Sequence, residues 1–389
     1  MATAIVSGAL ANKPLNGGEA WVRLSWVLGL RRLGFDTYFV EQIAAGDCVD
    51  ENGAPTELTA SINRRHFQEA VRDFDLEERA SLLCDGGREA VGLGLEKVED
   101  LAADADVLFN ISGHLTIEKV LAGPRRRVYV DLDPGFTQAW HLDESLAFQL
   151  DGHDRYVTVG LNVGGPRWSI PARGIEWIPT LPPVVLSEWQ AQPPARGPLR
   201  FTTIATWRSP YGGLELDGRQ LGLKHHEMRR MIELPERVPG CSFEIALDIH
   251  PGDSRDLEAL VAHGWKIVSP GQATGTPAAF HDYVSASGAE FSVAQGVYAE
   301  TRSGWFSDRT AAYLASGRPA LVQDTGVGDT LPVGEGLNTF ADLDGAVASI
   351  EQIASDPARH SRAARRWAEE RLDSDLVLGR LLSLVGVGD

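Results

Sequence analysis

Short apolar runs alternate with amphipathic or polar stretches along most of the chain. Thr3–Ser7 is one such run. A loop through Asn12, Pro14 and Asn16 follows it, and residues 19–33 place Trp21, Leu24, Val27, Leu28 and Leu30 near helical spacing. Gly34 stands where a helix-terminating glycine belongs, and residues 37–40 begin a second strand. Residues 106–111, 127–132 and 156–160 continue the series. Strands apolar along their whole length, with helices between them, predict a parallel sheet covered on both faces. Residues 48–90 are more polar and predict a helical insertion over a cleft.

The pattern breaks between residues 178 and 198, where Pro179, Pro182, Pro183, Pro193, Pro194 and Pro198 are incompatible with a central strand or helix. A second series then begins: strands at 201–205, 242–247, Trp265–Val268, 290–294 and 319–323, with helices at 223–234, 255–263, 278–287 and 308–316. From residue 344 the chain reads as helical. The predicted class is α/β: two tandem Rossmann-like parallel-sheet domains facing each other across a cleft. The expected boundaries are 1–180, a Pro-rich linker at 181–198, a second domain at 199–360, and a helical tail at 361–389 that could return to the first domain. Ligands of open parallel sheets bind at the carboxyl ends of the strands, so the cleft is the expected site.

Composition narrows the classes. Of 389 residues, 43% are hydrophobic and 23% charged, as in soluble globular enzymes. The net charge of −18 opposes a phosphate-tracking nucleic-acid partner and an anionic membrane surface. Cys48, Cys84 and Cys241 contain no Cys-x-x-Cys, which excludes a disulfide framework and the usual structural zinc spacing. No apolar run of about 18 residues predicts a membrane span, and no basic leader precedes the first apolar run. A cytoplasmic monomer or homodimer is the expectation.

Two motifs carry chemistry. Gly17-Gly18 opens the first helix, where backbone N–H groups can approach a phosphate; the same residues also suit a plain turn. Ser303-Gly304-Trp305-Phe306-Ser307-Asp308-Arg309 leads into a second helix that Ser307 or Asp308 would cap, so that Ser303, Gly304, Ser307, Asp308 and Arg309 could surround a diphosphate; an ordinary capped helix with a buried Trp305 is the alternative. Neither a dinucleotide Gly-x-Gly-x-x-Gly, nor a P-loop, nor a Gly-x-Ser-x-Gly elbow is present. Asp131 and Asp133 end a strand on the first-domain side of the cleft, and His114 leaves the neighbouring strand. Each is a candidate base for an acceptor hydroxyl, or a turn-capping residue. Asp131-Leu132-Asp133 also matches a metal-binding Asp-x-Asp, but so do Asp104-Ala105-Asp106 and Asp373-Ser374-Asp375.

Gly17-Gly18-Glu19, a helix, and Leu33-Gly34-Phe35-Asp36 before a strand resemble the opening of GT-B glycosyltransferases of the glycogen-synthase-like group. Residues 304–326 are similar to that group's late donor-binding helix and its small-residue ending. The resemblance implies a metal-independent transfer of sugar from a nucleotide-diphosphate donor to a hydroxyl of a small soluble acceptor, with no further cofactor. The first domain would hold the acceptor and the second the nucleotide sugar. It implies a basic residue at the diphosphate, for which Lys224 and Arg208 are the candidates, and a base site near Val268, Ser269, Pro270 and Thr276. A departure stands beside it: the group's acidic pair falls on Gly304 and Ala312. A nucleotide-sugar 2-epimerase and a non-enzymatic two-lobed binding protein are the alternatives.

Overall fold

The computed structural model describes residues 2–142, 150–194, 197–209, 212–216 and 218–387. In the first half the apolar runs pair into an eight-stranded sheet. Its strands are β1 (Thr3–Ser7), β2 (Asp36–Ile43), β3 (Ala80–Cys84), β4 (Glu89–Gly92), β5 (Val107–Ile111), β6 (Arg126–Asp131), β7 (Arg155–Thr158) and β8 (Trp177–Pro179). The order is β4-β3-β2-β1-β5-β6-β7-β8, parallel throughout except at the β3–β4 edge. The second half begins with β9 (Arg200–Thr206) and a two-strand hairpin, β10 (Glu215–Leu216) and β11 (Arg219–Gln220). Five strands follow: β12 (Ser242–Asp248), β13 (Trp265–Val268), β14 (Ala289–Ser292), β15 (Ala320–Gln323) and, closing the sheet, β16 (Leu337–Phe340). They form with β9 an all-parallel sheet ordered β13-β12-β9-β14-β15-β16. Each sheet reverses direction of growth once, between β1 and β5 and between β9 and β14. These are the switch points at which such sheets bind ligands.

Two segments differ from the sequence reading. Residues 48–90 contain one substantial helix, Ile62–Asp73, but also β3 and β4, which extend the first sheet. β3 is buried at all five positions, and its Ser81 and Cys84 hid it from an apolar count. The Pro-rich stretch contributes β8. Pro179 ends that edge strand, where its missing N–H breaks no ladder. Among the described residues no helix is long and apolar enough to cross a membrane.

The first helix, Gly17–Arg32, is buried on nearly every side, because three partners surround it. One is its own sheet. The second is the helix Pro277–Ala286 of the other lobe, and the third is the tail helix Ser374–Val385. Trp21 Nε1 donates to the Pro277 carbonyl at 2.8 Å, and its ring lies 4.9 Å from that of Trp189. A Cβ at Gly17 would lie 2.0 Å from the Thr276 carbonyl oxygen, so only glycine allows this approach. The tail seats Leu378 and Ser374 over Gly29, and Arg32 makes a bidentate pair with Asp375 at 2.9 and 2.8 Å.

A second seam ties the lobes on the far side of the cleft. Asn162 N donates to the Ser303 carbonyl at 3.0 Å, and its Nδ2 donates to Arg302 O at 2.9 Å and Gly326 O at 3.0 Å. Gly304, at φ +68°, leaves space for Asn162; a Cβ there would sit 2.9 Å from it.

Gly17→Ala tests the first seam. The added methyl meets a backbone carbonyl that cannot rotate away, at a cost of about 1–3 kcal/mol. The melting temperature should fall, and small-angle scattering should show the lobes further apart. An unchanged profile in both measurements would mean that the contact does not hold the lobes.

Candidate functional site

The carboxyl ends of both sheets open onto one cleft of about 880 Å³ between the lobes, within the range of small-ligand sites. The lobe-two wall is built around the helix Asp308–Ala315. Ser307 caps it, its Oγ accepting from Arg309 N at 3.2 Å. Asp308, Ala311 and Ala312 face the cleft, as positions three and four apart must. Arg309 turns back into the lobe. Its Nε bonds Glu290 at 2.8 Å, its Nη1 bonds the Ile204 carbonyl at 2.6 Å, and its Nη2 bonds Ser292, so it ties the ends of β9 and β14 together.

Lys224 begins the helix Lys224–Arg230, and its backbone N donates to Gln295 Oε1 at 2.8 Å. Its ammonium has no ion-pair partner among the described residues. Burial, with Arg309 nearby, lowers its pKa to about 8, against the pull of Asp133. Arg208 reaches the same wall, but its guanidinium is paired with Asp253 through Nε at 2.8 Å. Burial raises the Asp308 pKa to about 6, with Glu19 across the cleft adding to the shift.

On lobe one, Asp131 is fully buried behind the cleft wall. Its two oxygens accept from Thr137 Oγ1 (2.6 Å), Gln138 Nε2 (2.9 Å), Thr158 Oγ1 (2.7 Å) and Asp133 N (2.9 Å). Four bonds fill a carboxylate's acceptor sites, so Asp131 shapes the turn and does not reach the cleft. Asp133 does reach it. Tyr298 of lobe two donates to its Oδ1 at 2.7 Å; burial, with Asp131, Glu19 and Asp308, raises its pKa to about 6. Tyr298 in turn stacks on Trp305 at 4.6 Å, and both rings line the cleft. His114 lines the opposite side; burial, Arg23 and Lys13 lower its pKa to about 4, so it is neutral at pH 7.

The remaining expected residues divide. Gly18 and Pro270 line the cleft. Gly17 packs on the backbone at Thr276, and Ser303 and Gly304 belong to the Asn162 seam. Val268 and Ser269 lie off the cleft, while Gly271 and Thr274 line it. Thr276 caps the helix Pro277–Ala286, accepting from Ala279 N at 3.1 Å. Thus the tertiary fold brings together Gly18, His114, Asp133, Arg208, Lys224, Pro270, Ser307, Asp308 and Arg309, and leaves out the rest.

Lys13, Glu19, Arg23, Tyr298 and Trp305 line the same cleft and were not among the expected site residues. Glu19 and Arg23 had a signal: they stand four apart in a helix that is otherwise almost wholly apolar. Nothing local marks Tyr298. The Lys13 loop is fixed from below by Glu41, whose carboxylate accepts from Ala11 N (2.6 Å) and Asn12 N (2.8 Å). Asn63 Nδ2 adds a bond to the Ala11 carbonyl at 2.8 Å.

No family model and no curated protein matches the chain. Solved structures do. An alpha-glucosyltransferase (AGT) in complex with UDP matches at TM-score 0.59 and 12% identity, over 99% of this chain and 100% of that one. HepE from Anabaena in complex with UDP matches at 0.57 and 12%, over 99% and 100%. Sucrose-phosphate synthase from Thermosynechococcus elongatus matches at 0.54 and 12%, over 99% of each chain. Likeness at this identity is likeness of fold, and over its whole length the chain has the two-lobed GT-B fold.

Proposed function

We propose that the protein is a glycosyltransferase that moves a sugar from a nucleotide-diphosphate donor to a hydroxyl of a small soluble acceptor without a divalent metal. The observation that carries this reading is that Lys224, whose ammonium has no ion-pair partner among the described residues, lines the cleft together with the capped end of the helix Asp308–Ala315 at the lobe-two switch point. The relatives that share the fold and hold UDP support it.

The chemistry follows from charge. The leaving group is a diphosphate, so the lobe-two wall must stabilise departing negative charge. Lys224 and the positive end of the helix dipole supply that stabilisation in a partly dehydrated site. The acceptor hydroxyl enters from lobe one, where Asp133 is the base: a carboxyl with a pKa near 6 is largely ionised at neutral pH and still basic enough to take a proton. His114, a neutral imidazole, can hydrogen-bond a sugar hydroxyl as donor or acceptor. Pro270, Gly271 and Thr274 border the space for the nucleotide base. One relative was solved with DNA as well as UDP. Here the chain carries −18, and the cleft pairs five cationic side chains with four acidic ones, a balance suited to a small acceptor.

Calorimetry with UDP, GDP, ADP and dTDP should show one that binds; silence across the panel would sink the reading. Lys224→Ala should weaken that ligand about tenfold or more, as loss of a charged hydrogen bond does, and unchanged affinity would relocate the diphosphate.

Affinity should also fall steadily with rising pH. The bound diphosphate raises the Lys224 pKa above its free value of about 8, so binding takes up a proton near pH 8 and weakens as pH climbs through it. Below pH 7, protonation of Asp308 near pH 6 removes repulsion at the helix end and tightens binding. A flat profile between pH 6 and 9 would contradict this charge assignment.

Asp133→Asn should lower kcat for transfer about a hundredfold while leaving nucleotide affinity within about twofold. Donor incubated alone should not epimerise; if it does, the 2-epimerase reading replaces this one.

A further inference from the structure

Lobe one holds a cation that the donor does not use in the reading above. Arg23 lines the cleft near the lobe-one switch point, with its side chain only 3% exposed. Nη1 bonds the Glu19 carbonyl at 3.2 Å and the Glu19 carboxylate. Nε is buried without a hydrogen-bond partner, over Gly8, and Nη2 makes no hydrogen bond among the described residues. A guanidinium is a planar fork of five donors, and leaving donors unmet away from water is costly. An oxyanion presented from the cleft would engage such a fork through charge-assisted bonds.

The surroundings are built for this. Lys13 stands on the loop that Glu41 and Asn63 hold rigid, at the rim of the same space. Ser25, Ser112 and His114 line it. Arg23 and Lys13 both oppose protonation of His114, which places the imidazole within the field of the two cations. Glu19 is the acidic group facing them; burial would raise its pKa, but Arg23 and Lys13 outweigh that and hold it below its ordinary value. Two of the five lysines of the chain, Lys13 and Lys224, therefore line one cleft from opposite lobes.

We propose that Arg23 and Lys13 form an oxyanion subsite that holds a phosphate or carboxylate group of the acceptor while the acceptor's hydroxyl faces the donor. The word acceptor rests on the transferase reading; the anion site does not.

The test uses the full chain carrying Lys224→Ala, which weakens the lobe-two phosphate site. Inorganic phosphate, glucose 6-phosphate, glucuronate and uncharged glucose are titrated by calorimetry. Inorganic phosphate and at least one of the two anionic sugars should bind more tightly than glucose. The tighter of glucose 6-phosphate and glucuronate names the group. Adding Lys13→Ala should weaken anion binding about two- to fivefold, the effect of one exposed charge. Adding Glu19→Gln, which frees Arg23 from its competing carboxylate, should tighten it about fivefold. Arg23→Gln should abolish it, and the other two variants keep the test decisive if that protein does not fold.

Glucose binding as well as the anions overturns the proposal, and so does anion affinity indifferent to both Lys13→Ala and Glu19→Gln. UDP is titrated separately against the chain with Lys224 intact. Equal changes in UDP and phosphate affinity in the two variants would give Arg23 to the donor and also overturn it. If anions bind as stated while no nucleotide does, the transferase reading fails and the anion site stands.

Discussion

The geometry of the cleft depends on how closely the first helix can approach the other lobe. Gly17 meets the carbonyl of Thr276 with no room for a methyl group, and Trp21 reaches over to bond Pro277. That contact brings the carboxyl ends of two parallel sheets to face one another, one switch point against the other. The Asn162 seam holds the opposite side. Between these two lines of contact lies a space of about 880 Å³, within the range of small-ligand sites.

The seams also explain the departure from the acidic pair that glycogen-synthase-like transferases carry. Gly304 lies under Asn162, at a positive φ and with no space for a side chain. A carboxylate there would break the bonds between the lobes. Its counterpart position, Ala312, faces the cleft, but Asp308 stands one turn earlier on the same helix face. Acidic groups therefore remain in the cleft, from other positions, and burial raises Asp308 and Asp133 toward neutrality.

Much of this was legible in the amino-acid pattern. The runs at Thr3–Ser7, Trp265–Val268 and 242–247 declared parallel strands because strands buried on both faces have no polar side to show. The capped helix at Ser307-Asp308 was legible because capping is a local interaction between neighbours. β3, β8 and β16 were not. They are short, and their place in the sheets comes from partners far away in the chain. Asp131 and Asp133 looked alike in sequence. Only the fold gives one of them Thr137, Gln138 and Thr158 as partners and turns the other toward the cleft.

The class, two parallel αβ units, is written in the local amino-acid pattern, because hydrophobic periodicity and helix punctuation are consequences of backbone geometry over a few residues. The same pattern carries the acidic balance and the shortage of lysine that makes Lys13 and Lys224 stand out. Which polar groups share the cleft follows from the docking of the two lobes. Lys13, Glu19, Arg23, His114 and Asp133 of one lobe meet Lys224, Tyr298 and Asp308 of the other across long stretches of chain. Such meetings depend on how two lobes dock, and docking is set by packing among distant residues, for which no local pattern exists.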